Sequence, residues 1–226
     1  MKIYNEFKTL DLIMDGASIS RFGDGELKIC LNKNCVSQIA LPKLIDEMKE
    51  ILIVNNNNDH NCLVGIPNVT PGLSEFWDKF MAKPANATLL NQKGTYASSF
   101  ITRPDNAPTI DVPEYWDRIP DLWRGKDITL VRGSDRSLSP ELMPEVRSIA
   151  EVWGPHRDAY TEIDKIEKAV ENIGNKTVVL ALGATATCLA WRLSKKGFHA
   201  MDLGHIGMMF GGKGKWYEAY CKRQSL

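Results

Sequence analysis

The amino-acid sequence predicts an α/β fold in which a single domain has a central, mostly parallel sheet flanked by helices. Two features of the sequence indicate this fold. Short apolar runs of strand length alternate with segments in which apolar residues recur at helical spacing. One of these runs, TVVLAL (177–182), is apolar throughout, which is typical of a strand covered on both faces, as in a parallel sheet. The length of 226 residues suits one large domain, so we expect residues 1–226 to form a single domain.

The predicted helices follow from this apolar periodicity and from the residues at their ends. Apolar residues recur at i, i+3 and i+4 over 41–52 and again over 163–173, where Gly174 is placed to end the helix. A third helix is predicted over 185–196, with Thr185 as its N-cap and lysines in its last turn. The strands are predicted at the apolar runs between the helices, which are 17–22, 62–66, 127–131, 148–153, 177–182 and 199–203.

The composition excludes several classes of protein. The chain has 28 Lys and Arg against 28 Asp and Glu, which argues against nucleic-acid coating and polybasic membrane binding, because both need excess cations. The longest uncharged stretch, 177–191, is too short for a membrane span, and the first residues carry no signal-peptide pattern. The five cysteines form no C-x-x-C pair, so we expect free thiols. We therefore expect a soluble, cytoplasmic protein that binds no nucleic acid and makes no stable membrane insertion.

One long segment carries no helix or strand signal. Residues 104–120 contain four prolines, which punctuate local structure. We interpret this segment as one flexible surface excursion rather than as a boundary between domains.

The carboxyl ends of the strands hold the candidate site residues, because ligands bind at that edge of parallel sheets. The first predicted strand runs into RFGDGE (21–26). Asp24 and Glu26, flanked by glycines, can point from a tight loop toward one Mg²⁺ or Mn²⁺ ion. Arg21 can grip a phosphate or a carboxylate through two hydrogen bonds. The alternative is that Asp24 caps a helix starting at Gly25 and that Glu26 lies in the first turn of this helix.

The turn after the TVVLAL strand has the composition of an anion-binding turn. Residues 183–187, Gly-Ala-Thr-Ala-Thr, present backbone N–H groups and the positive end of a helix with little side-chain bulk. They contain no Walker lysine and no G-x-G-x-x-G pattern, so they indicate neither a P-loop nor a dinucleotide site. The alternative is that these small residues only allow the helix and the sheet to pack closely.

Other strand ends carry arginines and a histidine. Arg132 and Arg136 lie in a polar loop that is either a diphosphate clamp or a solvated turn. Arg103 lies in a second loop of this kind, and His205 follows the last predicted strand as either an active-site residue or a structural side chain. Acidic and arginine residues that one sheet edge can bring together suit a metal ion with a diphosphate-bearing ligand.

The segments that carry these residues resemble the GT-D-type glycosyltransferases, formerly a bacterial domain of unknown function that occurs in gene clusters for cell-surface glycans and glycoprotein sugars. ISRFGDGE (19–26) resembles the D-x-E metal motif of that family, and LALGATATCLAWRLSKKGFHAMDLGHI (180–206) is the most specific part of the resemblance. SFITRP (99–104) and GPHRDAY (154–160) lie between them in the same order. The resemblance therefore spans about 17–206.

This resemblance implies a Rossmann-like domain that transfers a sugar from a UDP-sugar donor, with Mn²⁺ or Mg²⁺ as the cofactor. By position, Asp24 and Glu26 correspond to the metal-binding pair and, together with His205, to the catalytic residues. The residues that the resemblance places around the nucleotide-sugar are Arg21, Phe22, Arg103, Arg136, Gly183 and Thr185.

The prediction is a metal-dependent glycosyltransferase of the hexosyltransferase type, which moves a sugar from a nucleotide-diphosphate sugar to a glycan or glycoprotein acceptor in cell-surface polysaccharide biosynthesis. A homo-oligomer is part of the same prediction. His205 is the predicted base, with Asp202 or Asp135 as other candidates. Two alternatives stay open: a metal-dependent nucleotide-diphosphate hydrolase, and a nucleotide-sugar-binding protein with impaired catalysis. The second draws on a departure from the family pattern, since residues 207–210 carry no carboxylate.

Overall fold

The structure is a computed structural model and describes residues 1–57, 59–110, 112–134, 138–204 and 206–207. Within these ranges the chain forms one eight-stranded sheet. The strands are β1 (Lys2–Ile3), β2 (Ser18–Arg21), β3 (Cys62–Ile66), β4 (Thr95–Ser98), β5 (Asp127–Arg132), β6 (Ser148–Trp153), β7 (Thr177–Ala181) and β8 (His199–Asp202). Their order is β1-β4-β3-β2-β8-β7-β5-β6, and each neighbouring pair is parallel. The predicted α/β fold with a parallel sheet is confirmed.

All six predicted strands are present, with ends within one residue of the prediction. The sequence analysis missed β1 and β4. β1 has only two residues, and the sequence of β4, Thr-Tyr-Ala-Ser, contains no apolar run. β4 is nevertheless buried along most of its length, because β1 and β3 lie on either side of it.

The helices pack against this sheet. They are α1 (Glu6–Met14), α2 (Asp24–Cys30), α3 (Pro42–Val54), α4 (Glu75–Met81), α5 (Pro84–Ala87), α6 (Pro113–Arg118), α7 (Ile163–Ile173) and α8 (Ala184–Lys195). The predicted helix at 163–173 is confirmed, and Gly174 ends it in the left-handed conformation that favours glycine. The helix predicted at 185–196 begins one residue earlier, with Gly183 rather than Thr185 as its N-cap.

The proline-rich segment 104–120 is not the flexible surface excursion that the sequence predicts. It contains α6 and two short 3₁₀ helices, Pro108–Ile110 and Ile119–Leu122. Tyr115 is fully buried, packs edge-on against Phe7 of α1, and donates a hydrogen bond to a backbone carbonyl. The aromatic and aliphatic side chains between the prolines therefore hold this segment against the core.

The sheet has a switch point between β2 and β8. The chain passes from β2 to β3 on one side, whereas it reaches β8 from β7 on the other side. The β2–β3 and β7–β8 connections therefore lie on opposite sides of this strand pair, and parallel α/β sheets bind ligands in the crevice at the carboxyl ends of the strands at such a point. α8 lies behind the crevice and is almost entirely buried.

Two further predictions concern the described residues as a whole. Cys30, Cys35, Cys62 and Cys188 are free thiols, as predicted, while Cys221 lies outside the described residues. Across the described ranges, no helix has the length and apolar character that crossing a membrane requires.

Candidate functional site

A cavity of about 410 Å³ opens at the carboxyl ends of β2 and β8, and we call it the strand-end cavity. Six of the predicted site residues line it: Arg21, Asp24, Glu26, Arg103, Gly183 and Asp202. A larger depression of about 580 Å³ lies elsewhere, between residues of α3 and α8, and contains none of the predicted site residues. The strand-end cavity is therefore the candidate functional site.

The acidic pair lies in the first turn of α2. The helix begins at Asp24 with Gly23 as its N-cap, and the Glu26 Oε2 atom accepts a hydrogen bond of 2.8 Å from the Gly23 N–H group. Asp24 forms an ion pair of 2.6 Å with Lys28, one turn further along. The capping alternative is thus right that a helix begins here and that Glu26 lies in its first turn. It is wrong about the capping residue, because Glu26 rather than Asp24 accepts the capping hydrogen bond. Both carboxylates still line the cavity.

A third carboxylate, Asp202 at the end of β8, lines the same cavity and is 5% exposed. The pKa of Glu26 is raised to about 7, mainly by burial and to a lesser extent by the nearby carboxylates of Asp202 and Asp24, while two backbone hydrogen bonds oppose the shift. Burial also raises the pKa of Asp202, although Arg21 opposes this shift. In both groups burial is the main cause of the raised pKa, so the cavity favours the protonated forms of Glu26 and Asp202 more than water does.

Arg21 forms the floor of the cavity at the end of β2. Its Nη1 atom donates to the Ser99 carbonyl (3.0 Å) and to the Thr102 hydroxyl (2.8 Å). Its Nη2 atom lies 3.4 Å from Asp202 Oδ1. Its Nε atom is buried and has no hydrogen-bond partner among the described residues. A buried donor without an acceptor costs free energy, so this atom is suited to an acceptor supplied by a ligand.

Gly204 makes room for this guanidinium. Its φ of +49° lies in the region that favours glycine, and a Cβ atom at this position would lie 2.2 Å from Arg21 Nη2. A contact this short cannot exist, so any side chain at position 204 would displace the guanidinium. Gly204 therefore determines where Arg21 lies.

Gly183 forms the opposite corner of the cavity, at the N-terminus of α8. Its φ of +55° and ψ of −145° are a combination that is essentially restricted to glycine. A Cβ atom there would lie 3.0 Å from Ser37 Oγ. The close approach expected of this turn is therefore present, and the amino end of α8 faces the cavity without a side chain in between.

The side chains of two predicted donor-binding residues lie in the core instead. Phe22, which directly follows β2, is 0% exposed and belongs to the hydrophobic core. Thr185 is 1% exposed, and its hydroxyl lies 3.3 Å from Gln38 Oε1. Neither side chain lines the cavity as the described residues define it.

The predicted arginines differ in their positions. Arg103 lines the cavity, and its Nε and Nη2 atoms hold both carboxylate oxygens of Asp105 at 2.8 and 2.7 Å. Arg132 donates to Glu151 at 2.6 Å and lies 4.2 Å from the ring centre of Trp153, so it belongs to the β5–β6 edge of the sheet. Arg132 therefore does not take part in the predicted diphosphate clamp with Arg136, because its guanidinium is held by Glu151 and Trp153.

Three predicted residues, Asp135, Arg136 and His205, lie outside the described residues. The cavity also includes residues that the sequence analysis did not single out. Among them are Lys28, Cys35, Val36, Ser37, Trp77 and Phe100. The sequence could have indicated Lys28, because it lies four residues after Asp24, a spacing at which opposite charges pair on a helix.

The side chains of the cavity fit a hard divalent cation with few protein ligands. Among the described residues, no group of three or more Asp, Glu, His or Cys side chains is close enough to enclose a metal ion. Asp24 and Glu26 offer only oxygen atoms, and Mg²⁺ in particular is commonly held by one or two carboxylates and completed by substrate phosphates. Binding through Asp24 would open its pair with Lys28, a partly exposed ion pair of a kind that contributes about 0.3–0.5 kcal/mol.

An all-parallel sheet with charged side chains gathered at its strand ends defines an α/β protein of the class whose ligand sites lie at that edge of the sheet. The model of the glycosyltransferase GT-D fold family matches residues 19–224. The chain belongs to this family, as the resemblance of its motifs predicts.

Two curated relatives carry glycosyltransferase names. The probable glycosyl transferase Gly of Streptococcus gordonii is 28% identical over 93% of this chain and 32% of its own length. Glycosyltransferase GlyD of Streptococcus pneumoniae serotype 4 is 26% identical over 88% of this chain and 26% of its own length. The chain thus spans about a third or less of the length of these relatives.

Solved structures agree with this assignment over nearly the whole chain. One, described as a highly conserved domain of unknown function with a distinct glycosyltransferase fold, has a TM-score of 0.83 and 29% identity, and the match covers 97% of this chain and 82% of that one. Another, described as a new glycosyltransferase from Streptococcus sanguinis, has a TM-score of 0.80 and 28% identity and covers 94% and 84%.

Proposed function

We propose that the chain is a metal-dependent glycosyltransferase that moves a sugar from a nucleotide-diphosphate sugar, with UDP-sugar as the expected donor, to a glycan or glycoprotein acceptor in cell-surface polysaccharide biosynthesis. We place this activity in the cytoplasm. The observation that carries the proposal is the strand-end cavity, where a family D-x-E pair, Arg21 and the amino end of α8 face one space. Family membership supplies the reaction type, and the cavity supplies the groups that such a reaction needs.

The reaction requires a site that stabilises a leaving diphosphate. The acceptor hydroxyl oxygen forms a bond to the anomeric carbon, and the bond from that carbon to the diphosphate oxygen breaks with its electron pair. Negative charge therefore grows on the nucleotide diphosphate. Fixed donors aimed at that position lower the barrier because they need no reorganisation during the reaction. Arg21, the N–H groups at the start of α8 and Lys28 are the donors that we assign to this task.

A divalent cation bound by Asp24 and Glu26 would act as a Lewis acid on the diphosphate. Removing Asp24 from its pair with Lys28 leaves the ammonium group available to a phosphate oxygen. Arg21 is prepared for the same ligand, since Ser99 and Thr102 fix its Nη1 atom while its Nε atom lacks a partner among the described residues. We keep His205 as the proposed base for the acceptor proton, with Asp202 as the other candidate.

The test compares a double variant with a matched control. In Asp24→Asn/Glu26→Gln, affinity for UDP in the presence of Mn²⁺ should fall at least tenfold, at the low end of what changes at a metal site cause. The control, Glu162→Gln/Asp164→Asn, removes two carboxylates at the same spacing from the start of α7 and should bind UDP normally. Calorimetry with a panel of UDP-, GDP- and TDP-sugars, with Mn²⁺ or EDTA, measures both variants and identifies the donor.

Turnover of the same donors separates the proposal from its alternatives. A transferase releases nucleotide slowly from the donor alone and faster when an acceptor saccharide is added. Nucleotide release that is equally fast without any acceptor would indicate the hydrolase. Tight donor binding with neither transfer nor hydrolysis would indicate the binding protein with impaired catalysis. Equal binding in Mn²⁺ and in EDTA would contradict the metal requirement.

A further inference from the structure

An exposed aromatic side chain lies beside the strand-end cavity on α4. Phe76 is 51% exposed, whereas its helix neighbours Trp77 and Phe80 are 5% and 6% exposed. α4 is capped by Ser74, whose hydroxyl accepts a hydrogen bond from the Trp77 N–H group. The helix therefore holds one aromatic ring toward the core and the next one toward solvent.

A chain of ring contacts connects Phe76 to the cavity. Phe100 and Trp77 line the cavity, and their ring centres lie 5.1 Å apart. Phe76 packs edge-on against Trp77 at 5.2 Å and stacks on Phe80 at 5.6 Å with the planes 20° apart. These contacts order the Phe76 ring and place it one aromatic contact away from the cavity lining, through Trp77.

A second exposed apolar side chain lies at the cavity. Val36 lines it and is 92% exposed, on the loop between α2 and α3. This loop is held in place directly after Val36, by two hydrogen bonds to Asp158. The Asp158 N–H group donates to the Ser37 carbonyl at 2.9 Å, and Asp158 Oδ1 accepts from the Ile39 N–H group at 2.7 Å. The exposure of Val36 is therefore a feature of a well-anchored loop.

The chemistry of this apolar rim differs from that of the cavity floor. Arg21, Glu26 and Asp202 supply charge for a diphosphate and a cation, whereas Phe76 and Val36 offer only apolar surface. A pyranose ring suits such a rim, because one face of the ring presents C–H groups while its edge carries hydroxyls. Ser37, which lines the same cavity, offers a polar partner for those hydroxyls.

We propose that Phe76 and Val36 form a saccharide-binding rim that takes the apolar face of a pyranose ring of the acceptor glycan. This inference rests on the proposed glycosyltransferase function and names where its second substrate binds. The donor sugar must lie next to the diphosphate groups, deep in the cavity by Arg21. The acceptor must reach that sugar from solvent, and Phe76 and Val36 are both exposed to solvent.

The experiment measures saccharide binding separately from turnover. The probes are free di- and trisaccharides that end in glucose, galactose or N-acetylglucosamine, and saturation-transfer NMR detects their C–H groups on the wild-type protein without a donor. Phe76→Ala should weaken binding of the recognised saccharide about three- to tenfold, the loss expected for one aromatic contact. Phe76→Tyr keeps the ring and should restore binding. Ile53→Ala changes an exposed apolar residue of α3 and serves as the control.

A second variant guards against an effect on folding. Val36→Ser alters a side chain that is 92% exposed, so its thermal stability should match that of the wild type while saccharide affinity falls in the same direction. In transfer assays both variants should raise KM for the acceptor and leave KM for the donor and slow donor hydrolysis unchanged.

The outcomes distinguish the rim from the proposed function. Saccharide binding that is absent from the wild type, or that survives both substitutions, overturns the rim even if transfer occurs. A rise in the KM of the donor also overturns it. Saccharide binding that depends on Phe76, without any transfer, supports the rim and contradicts the transferase. If the wild type binds phosphatidylcholine vesicles and both variants lose this binding while saccharide binding is unchanged, the rim binds a membrane surface and not a saccharide.

Discussion

The strand-end cavity has two unlike walls. The first consists of strand ends and helix starts, with Arg21 and Asp202 buried, Glu26 partly buried, and all three tied to their surroundings by hydrogen bonds or an ion pair. The second consists of α4 and the loop before α3, where Phe76 and Val36 present exposed apolar surface. The sheet holds the first wall, whereas connecting segments build the second.

This difference matches a division between the two tasks of the proposed glycosyltransferase. The parallel pairing of β2 with β8 fixes the distance between Arg21 and Asp202, so the first wall suits chemistry that every substrate shares. Connecting segments vary in sequence and length without disturbing the sheet, and they commonly carry specificity. We therefore expect substitutions in the first wall to reduce turnover and substitutions in the second wall to change acceptor preference.

The largest effect is expected from Gly204→Ala in the first wall. A Cβ atom would lie 2.2 Å from Arg21 Nη2, so the guanidinium must move away from the diphosphate position. Transfer, measured as kcat/KM for the donor, should fall about a hundredfold or more, which is the scale of losing one preorganised donor to the developing charge.

Gly197→Ala is the matched control for that variant. Gly197 also has a positive φ, +76°, but a Cβ atom there would meet nothing within 4 Å. Both variants carry the cost of an alanine at positive φ, about 1 kcal/mol, which a thermal melt measures. Only Gly204→Ala should lose turnover. Equal loss of turnover in the two variants would mean that backbone strain, rather than the position of Arg21, explains the effect.

The sequence predicts the first wall far better than the second. Strand runs and the parallel-sheet rule are enough to bring Arg21, Asp24, Glu26 and Gly183 to one edge, because the end of a strand is visible in the sequence. Trp77 and Phe76 give no such signal. Their helix carries the same apolar pattern as any core helix, and only the contact with Phe100 brings it to the cavity.

The errors in the first wall have a common cause. Phe22 and Thr185 are adjacent in sequence to residues that line the cavity, yet their own side chains are buried in the core. Arg132 ends a strand as Arg21 does, but β7 lies between β5 and β8, and Arg132 pairs with Glu151 instead. Strand order across the sheet decides which strand ends meet, and the sequence pattern does not contain that order.

A smaller effect concerns the charge of the first wall. The pKa of Glu26 is about 7 in the folded protein, above the ordinary value of 4.5. Between these pH values the unfolded chain releases this proton while the folded protein keeps it, so the free energy of unfolding of the metal-free protein should fall as pH rises from about 4.5 to 7. At about 1.4 kcal/mol per pKa unit, reduced because Glu26 borders the open cavity, the loss is roughly 1–2 kcal/mol.

Glu26→Gln tests this expectation by removing the titration. The amide oxygen can still accept the Gly23 hydrogen bond, so the cap is kept. Urea unfolding at pH 5 and pH 8 in EDTA should show the variant gaining stability relative to the wild type at the higher pH. A constant difference between the two proteins across this range would show that Glu26 is already ionised at pH 5. Adding Mn²⁺ at pH 8 should stabilise the wild type more than the variant.

The smallest effect on donor affinity is expected from Thr185, which the sequence predicts to bind the ligand but whose hydroxyl contacts Gln38 in the core. Thr185→Val keeps the shape of a side chain that is 1% exposed and removes its 3.3 Å contact with Gln38, at a cost of about 1 kcal/mol. Affinity for the donor should change less than twofold.

Thr187→Val is the comparison within α8, since the Thr187 hydroxyl donates to the Arg21 carbonyl at 2.8 Å and its loss acts on the first wall directly. Donor titration of both variants by calorimetry gives the answer. A tenfold weaker donor in Thr185→Val, with Thr187→Val unaffected, would mean that the hydroxyl of Thr185 turns into the cavity when the ligand binds.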